Sequence, residues 1–290
     1  MQTSKRSSLA TLSCMLLASG LMTAHAATVT NADSASTLNS GDSWVGGVAA
    51  GPADIAVWDS TVQANTTKSL GADLSWAGIQ VFNPAGPITI AADGSILTSG
   101  ASGIDLSQAA VGLTIGSPLI LGADQTWNVT NGQTLNLSGQ LLASSATTLT
   151  LNGPGTSQFS STTNGTYIGN IVLNGGTLIP GGSNANTNSA LGTGVITNNS
   201  GTFRSANRIV GNILHFNGTC VVDANMGNFT LDGAWEGDGT IIITNMTSSS
   251  TVTAGGNGNG SGTIANFTGT VVVSSTNSDG STTAGSFRFN

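Results

Sequence analysis

Charge is what this sequence has least of: Asp, Glu, Lys and Arg together make up 7% of its 290 residues. An ordinary globular domain carries about 25%, much of it on helix surfaces. The surface here must therefore be built from neutral hydroxyl and amide groups. Lys and Arg number only six, which argues against nucleic acid and anionic membrane surfaces, since both need clustered positive charge. Histidine occurs at 25 and 215 alone, and cysteine at 14 and 220 alone. A serine triad lacks its supply of bases, no Gly-x-Ser-x-Gly elbow occurs, and a zinc site lacks ligands. No cofactor or metal site is expected.

The first 26 residues have a character of their own. Lys5 and Arg6 precede a largely apolar run from Leu9 to Met22, and Ala24-His25-Ala26 fits a signal-peptidase site. This predicts a secretory leader, residues 1–26. A membrane anchor is the alternative, but the run is shorter than the ~20 residues that span a bilayer and is broken by Ser13, Ser19 and Gly20. Without the leader the chain keeps Lys68, Arg204, Arg208 and Arg288 against 13 acidic residues, a formal charge of −9. Cys220 is then the only cysteine, beside Val221 and Val222. It reads as a small buried apolar residue, and no intrachain disulfide is available.

What the chain has in quantity is glycine, 41 residues, set among short alternating runs. Leu113-Thr114-Ile115, Leu135-Asn136-Leu137, Leu149-Thr150-Leu151, Ile171-Val172-Leu173, Phe229-Thr230-Leu231 and Thr270 to Val273 have the period of two that marks strands. Asn131-Gly132, Asn152-Gly153, Asn164-Gly165, Asn174-Gly175 and Asn217-Gly218 supply residues that tolerate positive φ. Ser138-Gly139 and Asp232-Gly233 close their strands in the same manner. No helix beyond one turn at Ser107 to Val111 is expected after the leader. Loose recurrence of a strand-turn unit predicts an all-β parallel β-helix, a β-solenoid, with a β-sandwich as the alternative.

Residues 27–60, with Trp44-Val45-Gly46-Gly47 and Ile55 to Asp59, read as a cap or lead-in that covers the first open coil. Residues 61–246 read as the solenoid and 247–262 as a low-complexity loop. Residues 263–290 read as final strands that stop in mid-pattern, one piece of a longer array. The five tryptophans, at 44, 58, 76, 127 and 235, are spread too widely for one stacking surface and read as core or cap residues.

Thr148 to Gly153, Thr166-Tyr167-Ile168-Gly169 and Asn174-Gly175-Gly176-Thr177-Leu178 together resemble the autotransporter-associated β-strand repeat. Ser189 to Thr197 and Ser200 to Phe203 are similar to that family's next element, so one clear repeat spans 148–203. The resemblance implies a right-handed parallel β-helix, secreted and displayed at a bacterial surface as a passenger. In that setting Leu149, Leu151, Ile171, Leu173 and Leu178 point inward as apolar ladders, while outward Thr and Asn bond to equivalents one rung away. The chain departs from the pattern where Asn170 replaces a glycine. It also has no room for the membrane barrel that would export a passenger.

The expected function is accordingly structural or adhesive, without catalysis. Surface polysaccharide or other cell-surface components are the expected partners, and neither nucleic acid nor membrane insertion is expected. The alternative is a polysaccharide-degrading β-helix enzyme or carbohydrate-binding module. Its residues are Asp232, Glu236 and Asp238 in LDGAWEGDGT, with Trp235 as a sugar platform, plus Arg204 and Arg208 sharing one strand face. That alternative requires its five charged residues to converge in one groove. His215 alternates with apolar neighbours and reads as an exposed strand position. AGGNGNGSG, 254–262, lacks the aspartates of a calcium-binding repeat.

Overall fold

Every strand pair in the computed structural model is parallel, and the chain coils into a β-solenoid of about 9 turns. The structure describes residues 26–289 except 144, 162–165, 182–190, 205–206, 226, 247–249, 256–263, 265 and 275–284. The predicted leader thus lies almost wholly outside the described residues, as does the Asn164-Gly165 turn. The parallel stack, and not the sandwich, is the architecture. A sandwich strand returns antiparallel through a tight hairpin, whereas each run here continues around a coil before meeting its own equivalent. Among the described residues the only helical element beyond isolated turns is a short 3₁₀ segment, Gly41–Ser43.

Three sheets form the walls. A 13-stranded sheet runs from Ala27–Thr30 through Asp54–Trp58, Leu74–Val81, Leu97–Leu106, Gln125–Val129, Thr148–Asn152, Asn170–Leu173, Ile196–Asn198, Leu214–Phe216 and Trp235–Gly237 to Asn266–Phe267. Leu119–Leu121 and Leu141–Ala143 branch from the first half of Leu97–Leu106. A ten-stranded sheet runs from Thr67–Ser69 to Thr270–Val273. A four-stranded sheet of Arg208–Val210, Phe229–Leu231, Thr251–Ala254 and Ser286–Phe289 closes the third side of the later coils. Coil length varies: register partners lie 22 residues apart from Leu149 to Ile171, 18 from Ile196 to Leu214 and 30 from Glu236 to Asn266.

Alternation puts one side of every strand inside. Leu149 faces Ile171 and Leu151 faces Leu173 in register, and all four are at most 1% exposed, as is Leu178. A fully buried side chain of this kind contributes roughly 1.5–3 kcal/mol. The inward position that follows Leu173 is polar. Asn198 replaces the next ladder residue, and it satisfies itself on the Gly201 loop, with Nδ2 donating to Gly201 O at 3.1 Å and Oδ1 accepting the Gly201 N–H at 2.8 Å.

The glycines divide by physical cause. Gly132 and Gly153 hold the positive φ expected, 77° and 85°, and in Asn174-Gly175-Gly176 the left-handed residue is Gly176. Gly139, Gly218 and Gly233 are outside the left-handed region. A Cβ there would collide with the carbonyl oxygens of Ser117, Asn199 and Asn212 respectively, each on the preceding coil. These glycines are needed so that coils can stack closely, a requirement that local turn signals do not reveal.

Residues 31–50 cross the first end of the stack. Leu38 and Asn39 donate their N–H groups to Ser69 O and Leu70 O at 2.9 Å, bonding along strand Thr67–Ser69. Trp44, Trp58 and Trp76 meet edge to face in one buried cluster with centroids 5.8–5.9 Å apart. Three tryptophans distant in sequence therefore do converge, inside and not on a surface. Within the segment read as a low-complexity loop, Thr251–Ala254 is a strand with Val252 and Ala254 buried. Its Thr-Val-Thr-Ala alternation was masked by the surrounding serine and glycine.

Candidate functional site

The five residues of the enzymatic alternative sit on different walls. Arg204 ends a strand of the ten-stranded sheet, and its Nε donates to Asp223 Oδ2 at 2.6 Å. Arg208 begins the four-stranded sheet. The expectation that both share one strand face fails because the coil turns a corner between them. Asp232 follows Phe229–Leu231 and is buried. Glu236 lies on the outside of the 13-stranded sheet, and Asp238 is exposed at the next corner. Trp235 is fully buried, since neighbours on a strand face opposite ways, so it offers no sugar platform beside Glu236.

Around Glu236 the structure adds a neighbour the sequence did not. His215 stands one rung below it in register, with Nδ1 3.8 Å from Glu236 Oε2, both side chains partly exposed. Sequence separation of 21 residues hides this pair until the coil length is known. Cys220 is inside, its Sγ directed at Asn198 O at 3.1 Å, and burial pushes the thiol up to about 11. Burial likewise pushes the Tyr167 phenol up to about 12, with its hydroxyl donating to Asn170 O at 3.2 Å. The Thr-Tyr-x-Gly element is thus structural: its tyrosine is a core residue. Among the described residues no three His, Cys, Asp or Glu side chains group to hold a metal.

The most continuous polar feature is an asparagine ladder on the corner between the two large sheets. Asn174 Nδ2 donates to Asn152 Oδ1 at 3.0 Å, Asn199 Nδ2 to Asn174 Oδ1 at 2.7 Å, and Asn217 Nδ2 to Asn199 Oδ1 at 2.7 Å. All three bonds point the same way along the axis. Extending the Phe216 to Gly237 register by one residue places Asp238 on the next rung. A carboxylate has no donor to continue the ladder.

A second set of side chains ties coils where strands of the 13-stranded and four-stranded sheets begin. Asp73, Asp124, Asn170 and Asn228 accept the backbone N–H groups of Ile96, Thr148, Val195 and Thr251 at 2.8–3.0 Å. Two of the few acids, Asp73 and Asp124, are consequently used to hold coils in register. Surface hollows lined by described residues include two. One, about 330 Å³, is lined by Ala101, Asp124, Gln125, Thr126, Thr148 and Thr150 on the 13-stranded sheet. The other, about 240 Å³, lies at the edge of the four-stranded sheet.

No family model, curated protein or solved structure matches the chain, which stands on its own geometry as a parallel β-helix repeat protein.

Proposed function

We propose that the chain is a secreted or surface-displayed β-solenoid of the autotransporter-associated repeat type, structural and adhesive in role and without catalysis. The observation that carries this reading is the use of polar side chains. Asn152, Asn174, Asn199 and Asn217 bond to each other, and Asp73, Asp124, Asn170 and Asn228 bond to the backbone of adjacent coils. Such groups hold successive coils in register along a wall that carries few charges. A rod of this kind suits projection from a cell and contact with surface polysaccharide or other cell-surface components. The signal-like leader and the repeat resemblance over 148–203 support the location.

The enzymatic reading draws on one observation, the His215 and Glu236 pair on an outer face. A panel of polysaccharides incubated with the purified mature chain, with Glu236→Gln as control, separates the two. No released sugar products from either protein is the expected result. Products from the wild type that vanish in the variant would sink the non-catalytic reading. Protease shaving of intact cells tests location, and complete resistance of the chain to external protease would overturn surface display.

A further inference from the structure

Four cationic side chains follow the predicted leader, and two lie outside the four-stranded sheet. Lys68 is buried, with Nζ donating to Asn31 Oδ1 at 2.9 Å and Ala32 O at 2.8 Å. Arg204 is paired with Asp223. The other two, Arg208 and Arg288, both belong to the four-stranded sheet.

At the first edge of that sheet Asn207, Arg208, Ile209, Asn228 and Thr230 line the hollow of about 240 Å³. Asn207 Oδ1 accepts the Asn228 N–H at 3.2 Å, and Asn228 Oδ1 accepts the Thr251 N–H at 2.8 Å. A backbone N–H bonds only to the oxygen of a carboxamide, so these contacts fix the orientation of both amides. Their NH₂ groups are left without an acceptor among the described residues. Arg208 Nη1 donates to Asn207 O at 3.0 Å and brings positive charge to the same place. No carboxylate lines the hollow.

The register then extends this site along the axis. Ile209, Thr230, Thr253 and Arg288 form one row across the sheet, and Arg288 is exposed. Three strand spacings separate its ends, about 14 Å. The Asn207 and Asn228 amides lie two residues along the strands from this row, beside its Ile209 end, so unfilled donors at one corner of the face, the Thr230 and Thr253 hydroxyls across it and a guanidinium at the far edge match an extended ligand that is rich in acceptors and carries sparse negative charge. A dense polyanion such as nucleic acid is disfavoured by the net charge of −9 left after the leader.

We infer that the outer face of the four-stranded sheet binds a sugar chain bearing oxyanions, carboxylate or sulfate, with one group in the Asn207 and Asn228 hollow and another at Arg288. The site rests on the adhesive reading for its biological partner, and on the donors alone for its chemistry.

The test is affinity electrophoresis of the full mature chain in gels containing hyaluronan or κ-carrageenan, which carry a single carboxylate or a single sulfate per disaccharide, or unmodified dextran. The variants are Asn207→Asp with Asn228→Asp, and separately Arg288→Gln. Aspartate keeps the oxygen that accepts each backbone N–H while replacing the free donors with negative charge, so the unfolding midpoint is the control for folding. Retardation is expected in at least one charged gel and not in dextran, weakened about tenfold or more in the double variant and by about threefold in Arg288→Gln. Retardation by hyaluronan alone assigns carboxylate as the group bound, and by κ-carrageenan alone assigns sulfate. Absence of retardation in both charged gels, equal retardation in dextran, or unchanged retardation of Arg288→Gln would overturn the site. If the double variant does not fold, Arg288→Gln alone decides. Sugar release by the wild type would count against the non-catalytic reading only, because retardation is scored separately.

Discussion

At the scale of single residues, glycine separates two demands that look identical in sequence. Gly132 sits at φ 77° with nothing within 4 Å of an added Cβ, so Gly132→Ala should cost about 1 kcal/mol of conformational strain. Gly233 has no such φ, but its Cβ would strike Asn212 O, backbone that cannot move without parting two coils. Gly233→Ala should therefore cost about 3 kcal/mol. Urea unfolding of both variants checks the order, and a larger loss at Gly132 would contradict the stacking explanation. Titration gives a second prediction at this scale. Burial raises the Cys220 thiol from 9.0 to about 11 and the Tyr167 phenol from 10.0 to about 12, so both retain protons in the folded chain that the unfolded chain releases. Their contribution is full below about pH 9 and is lost as pH rises through about 11 and 12. Alkaline unfolding curves should show that fall, and Cys220→Ala should flatten its lower part.

At the scale of elements, the asparagine ladder is the device most open to change. Asn174 both donates to Asn152 and accepts from Asn199, so Asn174→Ala removes two bonds and leaves two partners unfilled. A loss of about 1–2 kcal/mol is expected, read as a lower denaturation midpoint. Asp238→Asn should act in the opposite direction, adding a donor on the rung after Asn217 for a gain of up to about 1 kcal/mol. A destabilised Asp238→Asn would show that the ladder ends at Asn217 for another reason. The strands themselves were legible: each alternating run named from sequence lies within a strand, from Leu113–Ile115 to Thr270–Val273. The candidate site was much less so. Trp235 and Glu236 were read together because they are adjacent, yet adjacency on a strand means opposite faces, while His215 reached Glu236 from a coil away.

At the scale of the whole molecule, each coil touches its neighbours, so stability is a sum over rungs and not the property of one core. The described ends differ. At one, Trp44, Trp58 and Trp76 pack beneath a segment bonded to strand Thr67–Ser69. In the last described strands, Val272, Val273 and Phe289 are 44%, 47% and 55% exposed. Hydrogen exchange of the chain should accordingly be slowest in the coils between 113 and 178, and fastest from 266 onward. Trp44→Ala should open amides of Asp54–Trp58 and Leu74–Val81 while leaving those after 200 unchanged. Uniform exchange along the chain would instead indicate one cooperative unit.

The sequence alone determined that this chain forms short strands with polar outsides and closes them with Asn-Gly and Ser-Gly turns, because strand alternation and turn conformation depend on residues a few positions apart. It also placed the inward leucines of 149–178 correctly. Only the tertiary structure decided which residues distant in sequence became neighbours: the tryptophan cluster, the four-rung asparagine ladder, the glycines beneath carbonyls, and the donors of Asn207 and Asn228 on one face with Arg288. Coil length sets those meetings, and coil length is fixed by how the loops pack and not by any local signal.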